Sequence, residues 1–261
     1  NAYTSDAGRR LTTAALDEGH KLAVISAIMK YHATTRMRES INDAMDVHSG
    51  KAVIDGPLNY LQPHYRAIPI GITVEGANIV TRNLIIFGQG AIRAHPHLLD
   101  EMQALQEPDR EKSLTDFDKH FWKHVGHSTR TFFRAWWSGW TGRGSVPDNA
   151  GDIAPLYVRL SRWSAAFAVT ADMAFLTLGG ELKRKEMISA RLGDALSEMF
   201  LVSAALKRWE DDGRHAGDLP LVQYAAEVSF NRIGRALDET IANFPARWVV
   251  WLLRPTLLPR S

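Results

Sequence analysis

Apolar residues recur along most of the chain at the three- and four-residue steps that are typical of an amphipathic helix. In the first such region, residues 8–46, the repeating positions are Leu11, Ala15, Leu22, Ile25, Met29, Met37, Ile41 and Met45. A second helical region is predicted from about Asn78 to Gln106. The sequence S-L-T-D at Ser113 to Asp116 has a capping-box pattern, which predicts the start of another helix running towards Trp137.

The C-terminal half is predicted to contain three more long helices after a linker at residues 138–152, SGWTGRGSVPDNAGD, which is rich in glycine. The first periodic segment ends at Gly179-Gly180, and the last starts after Pro220 and continues to about Phe244. The middle segment keeps a four-three apolar spacing at Ile188, Leu192, Ala195, Met199, Val202, Leu206 and Trp209. Such spacing indicates helices that pack at a shallow angle. Because no alternation of period two is long enough for a sheet, we predict an all-α helical bundle.

Composition narrows the class of protein. The 261 residues are 45% hydrophobic and 23% charged, with a formal net charge of +2, so no overall basic field argues for nucleic acid. Cysteine is absent, which excludes disulfides, thiolate metal sites and a cysteine nucleophile. No apolar run approaches the roughly 20 residues that are needed to cross a bilayer. The chain begins at Asn1 with neither an initiator Met nor a signal-peptide pattern, so we expect a piece of a longer protein or a processed product.

One carboxylate stands alone in an apolar stretch, PIGITVEGANIVTRNLIIFGQG at residues 69–90. Between Arg66 and Arg82 the only charged residue is Glu75. Burial of an unpaired carboxylate raises its pKa, which produces a base that works near neutral pH. Gly76, the next residue, leaves room for a substrate to lie against the backbone. The alternative is that Glu75 begins a helix or lies at the surface, where it only favours the helix N-terminus.

A second set of titratable residues follows a helical spacing. Asp116, His120, His124 and His127 are separated by steps of four, four and three, so one helix face could present them all. Zinc proteases of similar appearance carry a glutamate base inside the motif and a further ligand beyond it, and this segment has neither. We therefore assign no metal ligand and expect a polar helix face with hydrogen-bonded imidazoles.

Two segments combine tryptophan with arginine: RTFFRAWWSGWTGR at residues 130–143 and ARWVVWLLRPTLLPR at residues 246–260. Aromatic and basic residues around a short apolar run are typical of interfacial membrane segments. The alternative is that these aromatic side chains cap the bundle core. Acidic residues are interspersed along the chain and its net charge is small, so a nucleic-acid surface is not favoured.

Two stretches have the features of a known family. SAIMKYHATTRMRESINDAMDVHSG, residues 26–50, contains Lys30, Asp43-Ala44 and Ser49-Gly50, and in this order it resembles the C-terminal helical domain of acyl-CoA dehydrogenases. ITVEGANIVTRNLIIFGQGAIRAHPHLLDEM, residues 72–102, is similar to the large bacterial long-chain branch of the FadE type. The resemblance implies a partial C-terminal helical domain at residues 1–109 and an additional long-helix domain at residues 110–261.

The resemblance also implies an activity. In the family, FAD lies beside the acyl thioester, a glutamate removes a proton from the α-carbon, and a hydride leaves the β-carbon for the flavin. Glu75 matches this base and Gly76 is the adjoining substrate-binding position, while His48, Gly50 and Lys51 are the expected cofactor contacts. The Thr that commonly contacts the adenine is Ala77 here, and Asp46 and Ser49 replace the family's Gln and first Gly, which weakens the expected cofactor site.

These correspondences imply part of an FAD-dependent dehydrogenase that converts long-chain acyl-CoA to trans-2-enoyl-CoA in fatty acid β-oxidation. The implied partners are an electron-transferring flavoprotein and a second copy of the chain, in the bacterial cytoplasm, with peripheral contact to the inner membrane through residues 247–261. Because the family's N-terminal and middle domains are not part of this sequence, we expect the isolated chain to be inactive. The alternative is a non-catalytic helical module for assembly or membrane docking.

Overall fold

The computed structural model describes residues 1–90, 92 and 95–259, and within them the fold is helical with no strand. Ten helices of seven residues or more are described there: α1 Ala2–Asp17, α2 Ala23–His48, α3 Gln62–Thr73, α4 Asn78–Gln89, α5 Leu98–Ala104, α6 Arg110–Thr141, α7 Ala154–Leu178, α8 Glu186–Asp211, α9 Leu219–Ala242 and α10 Arg247–Leu257. From Thr81 to Gln89, α4 is a π-helix. The prediction of an all-α fold is confirmed.

Glycine and proline divide the two regions that periodicity predicted at the N-terminal end. Residues 8–46 belong to two helices, α1 and α2, because the chain turns at Gly19, whose φ of +83° is available to glycine without strain. The region from Asn78 to Gln106 is likewise divided into α4 and α5, with a turn that contains Pro96. The apolar period continues across both breaks, so it does not show where a helix ends. Of the eight periodic positions predicted in residues 8–46, only Ile41 is buried, and Met37 is 47% exposed.

The start of α6 lies before the predicted capping box. Asp109 is the N-cap residue, and its Oδ1 accepts a hydrogen bond from the backbone N–H of Glu111 at 3.0 Å. The helix continues to Thr141 and stops at Gly142, whose φ is +72°. The predicted linker is therefore helical at its beginning. Its remainder is mostly exposed, although Ala150 is only 2% exposed.

The core is organised around α8, which packs against α1, α4, α7 and α9. All seven positions of its four-three pattern are buried, as the spacing predicted. Gly193 allows the close approach of α4, because a Cβ there would lie 3.1 Å from the carbonyl oxygen of Arg82. Phe87 of α4 is fully buried and stacks on Phe175 of α7, with ring centroids 5.6 Å apart. The N-terminal helices therefore share a hydrophobic core with the C-terminal ones.

One helical stretch in the described residues, Gly151–Lys183, is long and apolar enough by composition to cross a membrane. The bent pair Gln62–Thr73 and Asn78–Gln89 passes the same test only if it counts as one span. The search for apolar runs in the sequence did not identify Gly151–Lys183, because threonine, serine and arginine are interspersed in it. It contains α7, whose Ala165, Val169 and Ala174 lie in the hydrophobic core. A core helix of a globular fold accounts for this composition.

A buried carboxylate joins α2, α8 and α9. Glu198 of α8 is 3% exposed and accepts hydrogen bonds from Ser229 at 2.6 Å and Arg232 at 2.9 Å, both on α9. Arg36 of α2, 6% exposed, reaches the same carboxylate at 3.4 Å. Burial raises the pKa of Glu198, but the nearby cations and the hydrogen bond from the Ser229 hydroxyl together lower it by more. The pKa therefore lies below its ordinary value. The carboxylate is therefore held in its charged form.

His32, one turn before Arg36, makes stability depend on pH. Burial lowers the pKa of its imidazole from 6.5 to about 4. Between these values the unfolded chain binds the proton and the folded chain does not. We therefore expect the free energy of unfolding to fall by about 3 kcal/mol as the pH decreases across this window. Urea denaturation of the chain and of His32→Leu checks this.

The His32→Leu variant should lose that part of the pH dependence, while His64→Leu, which changes an exposed histidine, should keep it. Equal pH dependence in the wild type and His32→Leu would contradict the assignment.

Candidate functional site

Glu75 lies in the four-residue connection between α3, which ends at Thr73, and α4, which begins at Asn78. Its φ is +53°, and that of Gly76 is +87°. A glycine adopts such values at little cost, whereas for a glutamate the left-handed region is uncommon and costs energy. The connection therefore holds Glu75 in a conformation that the surrounding structure must maintain.

Lys30 of α2 supplies that support. Its Nζ donates hydrogen bonds to the carbonyl oxygen of Gly76 at 2.6 Å and to Oδ1 of Asn78 at 2.7 Å. Asn78 in turn donates from Nδ2 to the hydroxyl of Thr34 at 2.9 Å. The turn that presents Glu75 is thereby fixed to the middle of α2.

The expected burial of Glu75 is not found within this chain, where the residue is exposed. The carboxylate projects from a surface turn, as the alternative interpretation of the sequence allowed. Its apolar neighbours are exposed as well: Ile70 is 61% exposed, Val74 47% and Ile79 69%. The stretch is apolar, as the sequence shows, but these side chains are themselves largely exposed and leave the carboxylate in solvent.

The predicted cofactor contacts lie at the other end of α2. His48 is its last residue, and its Nε2 is hydrogen-bonded to the hydroxyl of Tyr60 at 3.0 Å. Ser49 follows with a φ of +51°, and Gly50 and Lys51 open a single helical turn that ends at Val53. Gly50 and Lys51 are exposed, and a side chain at Gly50 would meet no atom within 4 Å. A cation beside an open glycine is a donor set that suits a phosphate group.

The structure therefore brings Glu75, Gly76 and Ala77 together but does not bring them to His48, Gly50 and Lys51. Lys30, which contacts Gly76, and His48 are eighteen residues apart on one helix, which corresponds to about 27 Å. The two groups cannot contact the same part of one ligand molecule.

The histidine face of α6 is only partly as expected. His120 lies 3.5 Å from the carboxylate of Asp100, and His124 donates from Nδ1 to Glu101 at 2.9 Å. His124 and His127 also approach His95, with ring centroids 4.5 Å and 6.0 Å away. The spacing on α6 could not indicate His95, because His95 lies in the turn before α5. The only local signal in the sequence was its position in the H-P-H segment at residues 95–97.

The two tryptophan- and arginine-rich segments lie side by side. α10 buries Val249, Leu253 and Leu257, while Trp248 is 53% exposed and Trp251 76% exposed. A groove of about 560 Å³ beside them is lined by residues of both segments: Trp140, Arg247, Val250, Trp251, Arg254, Pro255, Leu258 and Pro259. These tryptophans are exposed, whereas Phe132 of the first segment packs against the hydrophobic core, as the alternative interpretation expected. Arg260 and Ser261 lie outside the described residues.

Two family models match the chain. Residues 92–261 match the model described as acyl-CoA dehydrogenase, C-terminal, bacterial type, and residues 7–88 match that of the acyl-CoA dehydrogenase C-terminal domain. No solved structure matches the chain. The predicted division at residue 109 stays a prediction, as do the roles of Glu75 and the cofactor contacts. The first model alone spans well over half of the sequence, and the chain belongs to the acyl-CoA dehydrogenase family.

Proposed function

We propose that this chain supplies the general base, Glu75, of an FAD-dependent long-chain acyl-CoA dehydrogenase of the FadE-type branch. The enzyme would convert acyl-CoA to trans-2-enoyl-CoA in fatty acid β-oxidation. The observation that carries the proposal is the Glu75-Gly76 pair, held at positive φ by Lys30 among exposed apolar side chains.

The exposed apolar surface around Glu75 supports a site that is completed by other parts of the enzyme and by the substrate. Ile70, Val74 and Ile79 would be covered by an acyl chain or an adjoining domain, and that contact would remove water from the carboxylate. Desolvation raises the pKa of a carboxylate, which brings it closer to that of a base working near neutral pH. The preorganised backbone of the turn would then place the carboxylate against the α-carbon.

Each residue at the turn has a separate task in this reaction. Glu75 accepts the α-proton on a carboxylate oxygen. Gly76 has no side chain, so the thioester can approach the backbone closely. Lys30 fixes the carbonyl of Gly76 and so positions the carboxylate without contacting the substrate. FAD, when bound, supplies the acceptor for the hydride that leaves the β-carbon.

The residues at the end of α2 fit a phosphate-bearing cofactor in their chemistry. Lys51 provides a cation and Gly50 an open backbone, and His48 is held in place by Tyr60. Asp46, exposed on the preceding turn, would repel a phosphate that came near it. Ala77 offers only a methyl group at the predicted adenine position. We propose that the phosphate contact lies at Lys51 and Gly50. We also propose that the enzyme passes its electrons to an electron-transferring flavoprotein, pairs with a second copy of the chain and acts in the bacterial cytoplasm.

The proposal is tested on the protein made from the full reading frame that encodes this chain. We expect it to purify with FAD and to lose its oxidised flavin absorbance when long-chain acyl-CoA is added without oxygen. A short-chain acyl-CoA at the same concentration should bleach the flavin more slowly. A protein that holds no flavin would contradict the proposal. The alternative, a non-catalytic helical module, would then be favoured.

Membrane docking is the second candidate, and the groove between α6 and α10 favours it. Trp140 and Trp251 line this groove together with Arg247 and Arg254. Amphipathic aromatic rings beside guanidinium groups suit the headgroup region of an anionic bilayer. Docking is compatible with the dehydrogenase activity and also possible without it.

We expect the double variant Trp248→Ser and Trp251→Ser to bind phosphatidylglycerol vesicles about tenfold more weakly or worse, because it removes the exposed apolar area of α10. Vesicle co-sedimentation measures this. Trp122→Ser is the matched control, since Trp122 is 66% exposed and lies eighteen residues before Trp140 on α6. Deleting residues 247–261 would be a poorer test, because it also removes Val249, Leu253 and Leu257 from the core. Equal vesicle binding by the wild type and the double variant would rule out docking through α10.

A further inference from the structure

Four histidines meet between α5, α6 and α7, away from Glu75. His95 and His97 lie in the turn before α5, and His124 and His127 lie on successive turns of α6. The ring centroids of His95 and His124 are 4.5 Å apart, and those of His97 and His127 are 5.6 Å apart. Asp172 of α7 completes the group, with its Oδ1 at 3.1 Å from Nε2 of His95. The proposed dehydrogenase reaction uses none of these side chains.

Three of these residues can reach one point. One ligand atom each of His95, His124 and Asp172 lies within 4.8 Å of the other two. Bonds of about 2.0–2.2 Å to a zinc ion require ligand atoms closer together than this, so the side chains would have to move towards one another when the ion binds. The three residues come from three separate elements, and an ion between them would tie these elements together.

Two of the three ligands are already oriented by a further hydrogen bond. His124 donates its Nδ1–H to Glu101 at 2.9 Å, which leaves the lone pair of Nε2 free. Asp172 accepts the hydroxyl hydrogen of Ser128 on Oδ2 at 2.6 Å, which leaves Oδ1 for the site. A histidine whose second nitrogen donates to a carboxylate is the usual arrangement at protein metal sites. A polar helix face at the surface does not require it.

A small cavity adjoins the cluster. It has a volume of about 130 Å³, its lining includes His95, His127 and Asp172, and it has room for an ion with a bound water.

His95 connects the site to the start of α5. Its Nδ1 accepts hydrogen bonds from the backbone N–H groups of His97 at 3.2 Å and Leu98 at 3.1 Å, so its ring proton lies on Nε2. An ion bound to Nε2 requires this proton to move to Nδ1, where it ends both backbone hydrogen bonds. Metal binding must therefore release the first turn of α5 from His95.

We propose that His95, His124 and Asp172 bind a divalent transition-metal ion in a structural site that joins α5, α6 and α7. Imidazole and carboxylate ligands in a tetrahedral arrangement suit Zn²⁺, with water or a further imidazole from His97 or His127 as the fourth ligand. The site does not depend on the function proposed for Glu75.

The test uses the protein from the full reading frame, treated with a chelator and then titrated with Zn²⁺. We expect a single ion per chain and binding about 10- to 100-fold weaker in Glu101→Gln, which alters only the orientation of His124. The ligand variants His124→Gln and Asp172→Asn should lose at least as much affinity. His120→Gln, one turn earlier on the same helix, should bind as the wild type does. Amide exchange at His97 and Leu98 should accelerate when Zn²⁺ binds.

Substitution with Co²⁺ keeps the proposal testable if a ligand variant fails to fold. The wild-type protein should give the intense visible absorption of a four-coordinate Co²⁺ ion. A spectrum identical to that of the aqueous ion would overturn the proposal, and so would unchanged Zn²⁺ affinity in folded His124→Gln and Asp172→Asn.

Discussion

Replacing Glu75 with glutamine is expected to slow flavin reduction by long-chain acyl-CoA about 10²- to 10⁴-fold in the protein from the full reading frame. The amide has nearly the shape of the carboxylate but cannot accept the α-proton. Glu75 is exposed, and its backbone is held through Gly76 and Asn78, not through its side chain. The substitution should therefore leave the turn intact and change the free energy of unfolding by no more than about 0.5 kcal/mol.

Anaerobic stopped-flow measurement of the flavin absorbance checks this expectation. Glu111→Gln, which neutralises an exposed carboxylate near the start of α6, is the matched control and should reduce its flavin as fast as the wild type. Both variants must retain their flavin for the comparison to apply. If Glu75→Gln bleaches as fast as the wild type, the base is another residue, while the dehydrogenase activity itself stands.

The buried face of the central helix could be predicted from the sequence, because burial on all sides of the core and helical geometry impose the same period; the apolar positions of α1 and α2 are mostly only partly buried. The seven apolar positions of α8 are the clearest instance, and all are buried. The helix ends could not be predicted as well, since a single residue decides each of them. Asp109 caps α6 although a capping-box pattern stands four residues later, and Gly19 breaks a continuous apolar period.

The candidate sites differ in how far the sequence could indicate them. Glu75 could be selected as a candidate base from the sequence, because a single charged residue within an apolar stretch stands out from its sequence neighbours. Its support by Lys30 was not foreseen, since that hydrogen bond joins residues 46 positions apart. The histidine cluster depends in the same way on Asp172, which is 77 residues from His95 and carries no local signal. Helical spacing finds residues on one face, but only packing brings faces together.

Replacing Glu198 with alanine is expected to lower the free energy of unfolding of the chain by about 3–5 kcal/mol. The substitution leaves Arg36 buried without its carboxylate, and it removes the hydrogen-bond acceptor of Ser229 and Arg232. An unpaired cation in the interior costs more than the pair contributes, because its lost hydration is no longer offset. Urea denaturation followed by circular dichroism measures the change.

A surface pair gives the matched comparison. Asp55 and Arg66 lie 3.5 Å apart with side chains that are 72% and 67% exposed, so Asp55→Ala should cost no more than about 1 kcal/mol. In Glu198→Ala combined with Arg36→Met, the buried charge is removed together with its partner, and much of the stability should return. If Glu198→Ala costs no more than Asp55→Ala, the carboxylate does not hold α2 against α8 and α9. A large cost that Arg36→Met relieves would instead identify the stranded guanidinium as its cause.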